Sequence, residues 1–146
     1  MEFSTDELRP YERFDHWREE RGRYLFGGTL SIELDWQLAF HGRFSARDVG
    51  GALLSEMRAS SYSIVRSEAD IDRVPGNGLC IARQVRGGGA LEAGRHIHIV
   101  TAGSLMVSNT DMPYRATPHH LDGFQFQALK IPFADNPDLA RGAHAL

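Results

Sequence analysis

Cysteine and lysine are almost absent from this chain: Cys80 and Lys130 are the only ones among 146 residues. A lone cysteine excludes an intrachain disulfide, so a reducing, cytoplasmic setting is expected. Sixteen basic against nineteen acidic residues leave a formal net charge of −3. That balance argues against a phosphate-binding surface as the main business of the chain, and so against direct DNA binding. No apolar run approaches the roughly 18–20 residues of a membrane span. The acidic, amphipathic opening MEFSTDELRPYERF is unlike a signal peptide. Phosphate-cradle, nucleophile-elbow, zinc-finger and helix-turn-helix patterns are all missing. With 42% hydrophobic and 24% charged residues, what remains is one soluble domain.

Periodicity organises it. Phe14, Trp17, Arg21 and Tyr24/Leu25 recur at three- and four-residue spacing with charged residues between them. This predicts an amphipathic helix of about four turns. Ser4, Thr5 and Asp6 offer N-caps, Pro10 suits the first turn, and Gly27-Gly28 ends it. After the glycines the period changes to two. Ile32 to Phe40 alternates as a half-buried strand carrying Trp36, and further strands are expected over 42–49, 52–60 and 62–66. SEADIDR at 67–73 suits a single helical turn, and Pro75-Gly76-Asn77-Gly78 a tight turn. Strands over 79–85, 90–92, 96–100, 104–108 and 121–131 follow, with Gly87-Gly88-Gly89 read as a hairpin turn and 109–114 as a loop. A helix begins near Asn136-Pro137. Short strands at this spacing, without helical periods between them, indicate a sandwich or barrel.

Few residues carry evident chemistry. His96 and His98 point to one face of their strand, the spacing that two imidazole ligands of a metal need. The pair resembles that of metal-binding cupin-type barrels, in which a glutamate follows a few residues on; here Ile99, Val100, Thr101, Ala102 and Gly103 follow, so no metal or other cofactor is assigned. His119-His120 beside Pro118 reads equally as a solvated loop. Cys80, in an apolar strand, reads as a small buried hydrophobe. Arg83, and Gln125 with Gln127 opposite the face of Phe124 and Phe126, are polar residues at strand positions able to orient a small ligand at a barrel mouth.

The order of segments adds a resemblance. STDELRPYERFDHWREE at 4–20, RFSARDVGGALLSEMRASSYSIVRS at 43–67, the strand ending Val85-Arg86-Gly87, AGSLMVSNTDMPYRA at 102–116 and GFQFQALKIP at 123–132 together resemble the N-terminal part of AraC-type transcription regulators. The resemblance spans about residues 4 to 135. It implies a mainly β, cupin-like jelly-roll barrel with an N-terminal amphipathic helix packed outside. Residues 1–28 would form the helix, 29–133 the effector-binding barrel, and 134–146 the start of a truncated linker or dimerisation helix. Ser104 departs from the family pattern, which has aspartate there, so its hydroxyl is expected to take over the turn.

The implied function is effector sensing: a small molecule in the barrel controls a C-terminal helix-turn-helix domain that this chain lacks. A homodimer fits this reading, DNA is contacted only through the absent domain, and no membrane is involved. The expected ligand-binding residues are Arg83, Gln125, Gln127, His96, His98 and Trp36. The glutamine face of the last strand should border the cavity, and the phenylalanine face should lie under the helix. The chain is not expected to be an enzyme. The alternative is a cupin-type metalloenzyme, an isomerase or oxygenase, using His96 and His98.

Overall fold

The computed structural model describes residues 1–25 and 27–143. In chain order these form β1 (Glu2–Ser4), α1 (Pro10–Tyr24), β2 (Thr29–Ser31), α2 (Leu34–Gln37), β3 (Gly42–Val49), β4 (Ala52–Ala59) and β5 (Ser63–Arg66). There follow α3 (Glu68–Arg73), β6 (Gly78–Arg86), β7 (Gly89–Ala93), β8 (His96–Val100), β9 (Leu105–Asn109), β10 (Tyr114–Pro118), β11 (Phe124–Pro132) and α4 (Pro137–Ala143). One sheet runs β1-β3-β4-β11-β6-β9 and the other β2-β5-β10-β7-β8. Every pairing is antiparallel, and consecutive strands repeatedly change sheet. This is a cupin-like jelly roll, whose core lies between the two inner faces.

Helix α1 packs against the barrel through its aromatic stripe. Phe14, Trp17, Arg21 and Leu25 are all buried, as their spacing predicts, while Asp15, His16, Arg18 and Glu19 face solvent. Phe14 meets Phe40 edge-on at 5.3 Å, and Trp17 meets Phe40 and Phe44 at 5.8 and 6.4 Å. Such contacts add to the area that the aromatic rings bury. Pro10 takes the first helical turn as expected, but the cap differs. Arg9 is the N-cap and makes no side-chain cap bond. Thr5 is instead fully buried, its Oγ1 accepting the Gly42 N–H at 2.9 Å. The reason is β1, which pairs with β3 and pulls the start of the chain into the sheet.

The expected strand over Ile32 to Phe40 is replaced by short β2 and the single turn α2. Only Phe40 of that alternating series is fully buried; Leu34, Trp36 and Leu38 are exposed. The chain must cross here from the β5 edge of one sheet to β3 of the other, so no neighbouring strand is available to reward alternation. Strand β10, which sequence patterning misses, lies at the centre of its sheet between β5 and β7. Pro113 and Pro118 bracket it and give it the look of a loop. Gly87-Gly88-Gly89 is not a hairpin turn but the crossover from β6 to β7 of the other sheet, and within it only Gly87 has a positive φ, 75°. The other two are small for a different reason: a Cβ on either would meet a neighbouring strand's carbonyl oxygen, of Val100 or Thr117, at 2.1 Å.

One end of the barrel is clamped by Arg66, whose side chain is wholly buried. Its Nε donates to the Thr110 carbonyl at 2.9 Å and its Nη1 to that of Gly27 at 2.7 Å. Its Nη2 donates to the Val74 carbonyl and to the Asp111 carboxylate, at 3.0 and 3.1 Å. Asp111 also accepts the Gly76 and Asn77 N–H groups. Burial pushes its carboxyl up, but these donors and Arg66 more than offset that and hold it below the usual carboxylate range. Next to the clamp, α3 forms where a single helical turn is expected. Ser67 caps it, accepting the Asp70 N–H, and Asp70 returns the bond to the Ser67 N–H.

Candidate functional site

Between the sheets lies a cavity of about 560 Å³, walled by strands of both sheets and by helix α1. Its floor comes from β6 and β11. Ala128 stands opposite Ser55 on one side and Ala82 on the other, and all three face inward. Side chains alternate along a strand, so Phe124 and Phe126 share that inward face. The two rings stack at 5.8 Å, and Tyr62 meets Phe124 edge-on at 5.3 Å. The exposed rim is made by His98 and Ile99 of β8 with Leu105 and Val107 of β9, the edge strands of the two sheets.

The helix contributes Arg21, and Leu25 at its C-cap follows one turn on. Arg21 is 5% exposed. Burial works against its charge, yet the Tyr62 and Tyr114 oxygens around it hold its pKa above the ordinary arginine value. Burial pushes the Tyr62 hydroxyl up, so it stays a neutral phenol; it donates to Met57 Sδ at 3.5 Å. Cys80 also lines the cavity, and burial raises its thiol to about 11. It is thus the inert buried cysteine that its strand context suggests.

The residues expected to bind ligand are dispersed. His98 alone among them reaches the cavity wall. His96 lies beside it on β8, the rings 6.2 Å apart, but off the wall. Arg83 is exposed on β6 and sits opposite Leu105 and Gln127 in register, on the outer face of the sheet. Gln125 donates to Glu56 Oε1 at 3.3 Å on that same outer face. Trp36 is 45% exposed on α2. The expected orientation of the last strand is therefore reversed: its phenylalanine face lines the cavity and its glutamine face looks outward. The aromatic stripe of α1 finds its partners in Phe40, Phe44 and Tyr62 and does not need β11. Among the described residues no three His, Cys, Asp or Glu side chains group as metal ligands.

Sequence reasoning missed Arg21, Tyr62 and the phenylalanine face as cavity residues. The legible signal was Arg21 itself, a guanidinium in the apolar stripe of an amphipathic helix, where charged side chains are rare. Ser104 behaves as its departure from the family pattern suggests, its hydroxyl accepting the Thr101 N–H at 3.0 Å.

Comparison with solved structures places this architecture. The crystal structure of the AraC-like transcriptional activator CuxR superposes with a TM-score of 0.78 over 99% of this chain, at 20% identity. The chain shares its fold with an AraC-like activator. It spans about half of that protein, covering 52% of its length. An RmlC-like cupin protein from Desulfovibrio desulfuricans matches at a TM-score of 0.45, with 12% identity over 61% of this chain and 80% of that one. Ectoine synthase from P. lautus matches at 0.47, with 11% identity over 64% of each chain. No protein-family model and no curated protein matches the sequence. Among the described residues, no helix is long and apolar enough to cross a membrane.

Proposed function

We propose that this chain is the effector-sensing domain of an AraC-type transcription regulator, taking a small molecule into the cavity between its sheets. The observation that carries the reading is the composition of the cavity wall. It is built from both sheets and also from Arg21 of α1 and Leu25 at its C-cap, so an occupant touches the helix as well as the strands. A ligand that favours one placement of α1 over another shifts the population between them, and only that difference in affinity can be transmitted. The cavity volume lies within the roughly 300–1,000 Å³ of small-molecule sites. In this reading the chain can pair with a second copy, and DNA is met by a separate domain.

The metalloenzyme alternative has the adjacent His96 and His98 in its favour, and it requires a further ligand from outside the described cluster. The reading frame around this chain and the purified protein together decide. A helix-turn-helix pair encoded after Leu146, with ligand-dependent DNA affinity of the whole product, is the expected result. A stop codon at that point, together with stoichiometric bound metal and metal-dependent turnover, would overturn it.

A further inference from the structure

Resting on the reading of this cavity as an effector site, we infer that its occupant is an apolar molecule bearing a single carboxylate. The carboxylate is set against Arg21 and the hydrocarbon body against Phe124 and Phe126. Among the described residues that line the cavity, Arg21 carries the only permanent charge, and none is an aspartate or glutamate. Tyr62 and Tyr114 are among the groups that face its guanidinium. A cation held among hydrocarbon and aromatic side chains attracts an anion far more strongly than the same pair would in water. The planar donor fork of arginine matches the two oxygens of a carboxylate.

The rest of the wall sets the body of the ligand. Ala82, Leu91, Met106 and Ala116 join the two stacked phenylalanines. Polar side chains such as Gln84, Asn109 and Thr117 also line the cavity, but hydroxyls of a ligand set against the apolar part would lack partners, at a cost for each. An alkyl chain or an aromatic ring brings none. Because Arg21 belongs to α1 and not to a strand, the acid group ties the ligand to the helix, while the body only fills the barrel.

The test is titration calorimetry of the chain with octanoate, benzoate, 1-octanol and glucose, on the wild type and on Arg21→Gln and Arg21→Lys. At least one of the two acids should bind, and octanoate at least tenfold more tightly than 1-octanol. Arg21→Gln should lose at least tenfold in acid affinity and leave the alcohol unchanged, and Arg21→Lys should recover part of the loss. If Arg21→Gln does not fold, the acid–alcohol comparison on the wild type decides alone. Equal binding of octanoate and 1-octanol, or binding of glucose with neither acid, overturns the inference and leaves the effector reading intact. Binding of none of the four overturns the inference and counts against the effector reading too.

Discussion

The indole of Trp17 rests on the backbone of Gly42: a Cβ built at that glycine would lie 2.5 Å from the ring. The contact joins α1 to the first residue of β3, so the smallest residue in the sheet seats the largest residue of the helix stripe. Gly42→Ala should therefore destabilise the chain by about 1–3 kcal/mol, the ordinary cost of overpacking a filled core. Urea denaturation at an unchanged m-value measures it.

Trp17 is fully buried, and Trp17→Ala should cost about 3–5 kcal/mol. The two substitutions are coupled. In the Trp17→Ala background, Gly42→Ala loses its clash and should cost little, giving a clear interaction energy in a double-mutant cycle. A Trp17→Ala cost below about 1 kcal/mol would mean that the helix is held elsewhere.

Asp111 supplies an acid-sensitive element. Its folded pKa lies below the ordinary 3.8, so at pH values between the two the unfolded chain binds more protons. Its contribution is thus fully present above about pH 3.8 and is lost as pH falls through the folded value. Asp70 acts in the same direction, held down first by the Ser67 N–H. Asp111→Asn should lower stability near neutral pH and flatten its fall on the acid side. Denaturation midpoints between pH 7 and pH 3 would show both effects.

Cys80 should be silent toward thiol reagents in the native protein. With its pKa near 11, about one thiol in a thousand is ionised at pH 8, and the side chain is buried as well. Iodoacetamide at pH 8 should label it rapidly in urea and very slowly in buffer. Fast native labelling would show that the cavity wall opens.

The helix was legible because its stripe and its exposed face differ sharply along one period. The hairpin strands were legible for a similar reason, since glycine-rich turns punctuate them. The segment from Ile32 to Phe40 was not: its alternation is genuine, but a strand forms only beside a neighbour, and the crossover between sheets provides none. The site was harder still. Alternation correctly separates Gln125 and Gln127 from Phe124 and Phe126, yet which face looks inward depends on what lies across the sheet. The register of Ala128 between Ser55 and Ala82 decides it. Those partners lie 73 and 46 positions away in the chain, so no local pattern carries the answer.

Strand β11 occupies the middle of its sheet, between β4 and β6, although it is the last strand of that sheet in chain order. A nascent chain on the ribosome therefore carries two bare sheet edges until residue 132 has emerged, and it cannot close this sheet stepwise behind the exit tunnel. Long-range pairing of this kind is slow and leaves apolar edges open meanwhile. A stop codon anywhere before residue 124 would yield no smaller domain: it would release two half-sheets with unpaired edges, a template for aggregation and degradation.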